Sequence, residues 1–384
     1  MLRRMAAAAS FFELPPVTTL ALVRDDLADA LAAAEQLVTA NRHDEAVEEL
    51  EDLWSGVRAD AALALRHRLA LSWSEMYRGE LEHATELLEH AETIVKSPRF
   101  DAGDRAEVLY RRGCVALKGS EAADATSLFT RALDQNEHAP RPRTLLAANI
   151  YEWRSRCHQL RRDWDAAARD AEWSLKLATR AGDEPAQAHA LFQASCIAER
   201  QKDWLVARFY GERALELYRK HDDTLATAKI LNNLGGIDFL LGDVATAEEN
   251  LIDAAETAAK AGSDPDLAQA VNTLAHVLLK TGRPVEARVR AERAVELLTG
   301  RIDFRDELGN AQLVVARSLA AEGDHALAVE WIDAAENTFD AIGSTSHLAL
   351  AWVARGDLAR ETGDLDAAAD LYRRAADSLQ DVHL

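Results

Sequence analysis

Asn232 and Asn272 stand forty residues apart, each inside an apolar run, in ILNNLGG and AVNTLAH. A carboxamide offers a donor and an acceptor side by side, the pairing that an extended peptide backbone presents. Repeated amides of this kind would hold a main chain without reading its sequence. Around them, residues spaced 3, 4 and 3 apart fall on one helical stripe. The stripe reads Lys229, Asn232, Gly236 and Phe239, then Gln269, Asn272, His276 and Leu279. Earlier in the chain it reads Asn149, Glu152, Arg156 and Gln159, then His189, Phe192, Cys196 and Glu199. Glu107 and Tyr110 extend it at one end, Asn310 and Arg317 at the other. A stripe of amides, charges and isolated aromatics is unlike a core. Its chemistry is recognition: amides for a backbone, Phe192, Phe239 and Tyr110 for side-chain pockets, and His189 and His276 for some pH sensitivity. The candidate contacts are Asn232, Asn272, Lys229, Phe239, Gln269, His276, Phe192, His189, Asn149, Arg156, Asn310, Arg317 and Tyr110.

Catalytic and metal patterns are missing. The chain has no G-x-x-x-x-G-K-[ST] phosphate loop, no G-x-S-x-G elbow and no H-E-x-x-H helix. His83 and His90 lie two helical turns apart, too far to share a metal easily, and read as structural. Cys157-His158 has no second pair nearby, and Gly235-Gly236 reads as close helix packing rather than a phosphate cradle. The expectation is a protein that is not an enzyme and carries no cofactor.

The elements that must position the stripe repeat along the chain. Nine alanines, Ala46, Ala84, Ala125, Ala167, Ala207, Ala247, Ala287, Ala328 and Ala368, recur every 38 to 42 residues. Apolar residues run at helical spacing on both sides of a break within each period. Gly79-Glu80, Gly242-Asp243, Gly323-Asp324 and Gly363-Asp364 supply a left-handed helix end and then an N-cap. Gly282-Arg283-Pro284 is a variant with proline in the first turn. Glu184-Pro185, Asp264-Pro265 and Gly343-Ser344-Thr345 separate one period from the next. Each period therefore holds two antiparallel helices, A and B, with the anchor alanine on B where the two approach closely.

This pattern resembles the tetratricopeptide repeat family, whose signature pairs W-x2-L-G-x2-Y on helix A with A-x3-F on helix B. Trp352-x3-Gly356, Leu234-Gly235, Leu274-Ala275, Ala125-x3-Phe129 and Ala368-x3-Tyr372 match parts of it. A second alanine follows seven residues after the anchor at Ala91, Ala132, Ala214, Ala254, Ala294, Ala335 and Ala375. The period exceeds the usual 34 residues, so the chain is similar to the longer-repeat branch found in kinesin light chains and in sensor domains of bacterial regulators. The resemblance implies an all-α, right-handed superhelical solenoid of about nine helix pairs over residues 22–380. It leaves tails at 1–21 and 381–384. It also implies that the A helices line a concave groove, where a peptide or protein ligand binds.

Net charge is −21, with 65 acidic against 44 basic residues, which argues against direct binding of nucleic acid. No apolar run approaches a membrane span. Arg3, Arg4 and a short apolar run hint at a signal peptide, but Glu13 interrupts them. Cys114, Cys157 and Cys196, odd in number and widely spaced, suit reduced thiols in a cytoplasmic protein. Regulators of the resembled kind carry a helix-turn-helix ahead of their repeats; the twenty or so residues before the first repeat are too few for it, so that part is expected to be lost, to belong to another chain, or to lie upstream of a misplaced coding start.

Some core positions carry charge. Glu75, His158 and Asp238 stand where large apolar residues are expected, and Arg112 and Arg154 replace leucine. A buried charge needs a partner; Glu75 with Arg112 is one pairing, and a local slip of register is the other reading. Two functions remain. The leading one is a non-catalytic peptide-binding module, the sensor part of a regulatory system. The alternative is a scaffold that binds through its convex face or ends, or a homodimer through the C-terminal helix with Leu371, Tyr372, Ala375 and Leu379.

Overall fold

A computed structural model describes residues 17–380. Among these the chain forms eighteen α-helices, one short 3-10 turn and no strand. Two compact units divide it, Met1–Asp183 and Glu184–Leu384. The first contains α1 (Val17–Thr39), α2 (His43–Val57), α3 (Ala61–Arg78), α4 (Leu81–Ile94), α5 (Ala102–Lys118), α6 (Ala122–Glu137), α7 (Thr144–Leu160) and α8 (Trp164–Ala181). The second contains α9 (Glu184–Arg200), α10 (Trp204–Lys220), α11 (Thr224–Leu241), α12 (Val244–Lys260), α13 (Asp264–Lys280), α14 (Pro284–Leu298), α15 (Arg305–Glu322), α16 (His325–Asp340), α17 (Thr345–Glu361) and α18 (Leu365–Gln380). Odd-numbered helices are A and even-numbered ones B, and within each unit consecutive helices pack on one another. Helix begins at Val17, inside the stretch expected as a tail; 1–16 and 381–384 lie outside the described residues.

The breaks have the chemistry their residues suggest. Gly79, Gly242, Gly323 and Gly363 take φ of 89°, 86°, 89° and 89°. Asp243, Asp324 and Asp364 then accept from the backbone N–H three residues on, at Thr246, Leu327 and Ala367. Arg162 and Lys202 adopt the same left-handed turn without glycine, at φ 58° and 64°. Asp163 and Asp203 cap the helices that follow them, so aspartate keeps the break where glycine is absent, as glycine does before Glu80 and Arg283.

All nine anchor alanines are buried on B helices. What they allow is a size exchange across each A/B crossing. Twelve residues before each anchor stands a small residue of helix A, and four after it a residue of helix B whose bulk varies. Glycine meets bulk: Gly113 faces Phe129, Gly235 faces Leu251, and Gly356 faces Tyr372. A Cβ added to these glycines would come within 2.6, 2.5 and 2.8 Å of those side chains. Where B brings only Ala171 or Gly211, helix A carries Ser155 or Ser195. Each hydroxyl donates to the carbonyl of an anchor alanine, Ala167 at 2.8 Å and Ala207 at 2.7 Å. Gly236 has open space where its Cβ would be, so only the first glycine of the pair serves packing.

The charged core positions are paired, though Glu75 does not meet Arg112. Glu75, 3% exposed, accepts from Arg78 at 3.0 Å and lies 3.0 Å from His83 Nδ1. Its face of α3 looks onto its own B helix, α4, and Arg112 instead reaches back to Glu92 at 2.5 Å. Arg154 donates to both oxygens of Asp170, at 2.7 and 2.8 Å. Asp238, 1% exposed, accepts from Asn250 at 2.8 Å, with Arg208 Nε 3.3 Å away. Burial pushes its carboxyl above the ordinary range.

Candidate functional site

The second unit gathers the stripe most closely. Gln269, Asn272 and His276 project from successive turns of α13, and Asn310 and Arg317 from α15. With Thr273, Glu307 and Leu350 of α17 they line a depression of about 460 Å³. His276 and Arg317 are shared with a second depression of about 500 Å³, which extends to Lys280, Asp357 and Arg360. The geometry follows from the repeat. The anchor faces of α13 and α15 go to the core through Leu274, Leu278, Val314 and Val315. Asn272 and His276, two residues from Leu274 or Leu278, fall on a different face of α13 from that core stripe.

Polar groups along this row are short of partners. The Oδ1 atoms of Asn232 and Asn272 are buried and accept no hydrogen bond, and so is Glu307 Oε2. Burial, reinforced by a hydrogen bond with Asp306, lifts the Glu307 carboxyl to about 7. Burial, and then the positive charges of Arg317 and Lys280, lower His276 to about 4, so its ring is neutral at physiological pH. A buried carbonyl left without a donor costs about 1–3 kcal/mol.

Other stripe residues already have protein partners. Lys229 lies 3.9 Å from Asp266. His189 Nδ1 is 3.0 Å from the Tyr218 hydroxyl, and Phe192 meets the same ring edge-on, centroids 6.5 Å apart. Phe239 is half-buried against the core beneath it. In the first unit Asn149 is half-buried on α7. Arg156 is bonded to Glu152 and lies 4.8 Å over the Trp153 ring. Tyr110 is 5% exposed, its ring 6.2 Å from both Trp73 and Phe129. It is a core side chain rather than the wall of an open pocket, because Trp73 of α3 packs across it. Two depressions of about 440 and 390 Å³ in this unit are lined from α4, α5 and α6, and contain none of the stripe residues.

The stripe as read from sequence stopped short of Glu307, three residues before Asn310. One more helical step on the same face would have reached it.

Among the described residues no three or more His, Cys, Asp or Glu side chains converge as a metal site. His83 is bonded to Glu75, whereas His90 Nδ1 accepts from Arg68 Nε at 3.1 Å. Cys114 and Cys157 are buried free thiols, and burial raises Cys157 to about 11. Among the described residues no helix is long and apolar enough to cross a membrane. On α18 Leu365 and Leu379 are exposed, Ala375 is buried and the Tyr372 hydroxyl donates to Asp357 at 2.7 Å.

Residues 226–299 match the tetratricopeptide repeat family. No curated protein matches the sequence. The apo form of RapI aligns with a TM-score of 0.71 at 14% identity, over 93% of this chain and 98% of that one. The apo form of the quorum sensor NprR from B. thuringiensis aligns at 0.70 and 13%, over 93% and 99%. NprR in complex with its cognate peptide NprX aligns at 0.57 and 12%, over 92% and 99%. At these identities the likeness is one of fold. The matched segment spans α11 to α14 and there resembles the tetratricopeptide repeat; among the described residues the helix pairs before and after it share the same build, with the anchor alanine of every B helix buried.

Proposed function

We propose that this protein is a non-catalytic peptide sensor of a regulatory system, and that the A helices of its second unit hold the peptide in an extended form. The observation that carries this reading is the pair of equivalent asparagines, Asn232 and Asn272, each with a buried carbonyl oxygen that no protein group satisfies. A peptide N–H delivered to each would remove that cost, and the amide N–H groups can return a hydrogen bond to a peptide carbonyl. NprR, which shares the fold, is known with a cognate peptide; the stripe here supplies groups suited to the same class of ligand. The test is solution selection from a pooled library of synthetic hexapeptides, read by mass spectrometry. Wild type is expected to retain a defined subset. The Asn232→Ala, Asn272→Ala double variant, losing about 1 kcal/mol or more per amide, should retain it at least tenfold less. Equal retention by both proteins would remove the groove from the function.

A further inference from the structure

In the first unit a groove runs between the B helices α4 and α6, with α5 as its floor. The two depressions of about 440 and 390 Å³ lie along it and share Arg131 of α6. Its depth follows from the sequence. Ala116 and Gly119 stand nine and six residues before the anchor Ala125, where α7 carries His158 and Arg161 and α11 carries Asp238 and Leu241. With so little bulk there the floor stays low, and Leu81, Ala116 and Leu128 are left half-buried. Val95, Val108 and Leu109 make the apolar floor of the other half.

The two ends of the groove differ in charge. Glu82, Glu121 and Asp124 stand where α4 and α6 begin, and Lys96 and Arg131 toward where they finish. All five are exposed, and their side chains make no hydrogen bond or ion pair among the described residues. Neighbouring charges are already engaged: Arg112 donates to Glu92 at 2.5 Å, Arg105 to Gln135 at 3.1 Å, and Asp134 lies 3.5 Å from His138. Backbone groups along helical walls bond along their own axes, so an extended strand laid here would find no partners for its N–H and C=O groups. A helix satisfies its own. Glu82 and Lys96 are fourteen residues apart in sequence, about 21 Å of helix, which fits an occupant of about four turns. A helix with acids in its first turn and bases in its last is favoured by its own dipole. Laid antiparallel to α4 and α6, it sets those acids over Lys96 and Arg131 and the bases over Glu82, Glu121 and Asp124.

We propose that the groove between α4 and α6 receives an amphipathic helix of a partner protein, acidic at its N-terminal end and basic at its C-terminal end. The proposal is independent of the peptide reading, which concerns the second unit. The probes are fluorescein-labelled peptides of about fifteen residues, read by anisotropy against the full chain. All share an apolar face of Leu and Ala at helical spacing. One carries Glu in the first turn and Lys in the last, one Glu at both ends, one Lys at both ends. Wild type should bind the Glu-first, Lys-last peptide at least tenfold tighter than either of the others. Lys96→Glu with Arg131→Glu makes both ends of the groove acidic and should make the Lys-ended peptide the tightest. Glu82→Lys with Asp124→Lys should instead favour the Glu-ended peptide. Loss of folding cannot produce such a change of preference. No binding by wild type, equal binding of all the peptides, or a preference unchanged in either variant overturns the proposal. So does a wild-type dimer in sedimentation that the variants abolish, because the groove would then hold a second copy of this chain.

Discussion

Replacing Asn272 with leucine separates a ligand-binding amide from a structural one. If Asn272 is built into the fold, Asn272→Leu destroys hydrogen bonds and destabilises the protein. The structure gives the opposite sign. Its Oδ1 is buried without a donor, a loss of about 1–3 kcal/mol that leucine, of similar size, does not incur. The side chain is half-buried, which puts the gain near the lower end, about 1 kcal/mol. For a unit of this size that is about 2–4 °C in Tm. Peptide retention should move the other way. A peptide N–H facing leucine loses its acceptor and stays desolvated, about 1.5–3 kcal/mol, or roughly 10- to 100-fold in affinity. Circular dichroism melting and the hexapeptide selection, run on the same preparation, read both quantities. A lower Tm with unchanged retention would refute the assignment, since it would make Asn272 part of the scaffold.

The size exchange at the A/B crossing should appear as coupling between Gly235 and Leu251. Gly235→Ala gains about 1 kcal/mol of helix propensity but places a Cβ 2.5 Å from Leu251 Cγ, an overpacking cost of about 1–3 kcal/mol. Leu251→Ala alone should cost about 2–5 kcal/mol. Together they recreate the Ala275/Ala291 pair of the next repeat, so the double variant should be more stable than the singles predict by at least 1 kcal/mol in urea unfolding; additivity within about 0.5 kcal/mol would exclude direct contact. His276 should make stability depend on pH. With its folded value near 4 and an unfolded value of 6.5, the folded chain binds fewer protons between those limits. Stability is therefore fully present above pH 6.5 and declines as pH falls toward 4. Discounted for partial exposure, the shift is worth about 2 kcal/mol. His276→Gln should flatten that portion of the profile relative to wild type, and parallel profiles would show that the ring is solvated.

The fold was legible because its signals are local and repeated. The alanine at each crossing is decided by neighbours within one helix pair and recurs nine times, and five B helices, α8, α10, α12, α16 and α18, start on an aspartate. The partners of the buried charges were not legible. Glu75 could reach α4 or α5, and only the orientation of α3 sends it to His83 and leaves Arg112 to Glu92. The stripe was legible as a face and not as a surface. Spacing places Tyr110 and Asn272 on comparable faces of their helices, but it does not reveal that Trp73 covers the first.

The exchange of bulk between Gly235 and Leu251, Ser195 and Gly211, or Gly113 and Phe129 makes each helix pair fit itself better than it fits any other. Duplication or recombination that moves a whole pair carries lock and key together. A breakpoint between A and B would set Phe129 against Ser155, or Gly211 against Gly235, with a clash in one case and a void in the other. The pair is thus a self-fitting module for a designer who wishes to lengthen or shorten the array, but a cut between α10 and α11 would also have to keep Gly211 against Leu234 of the next A helix.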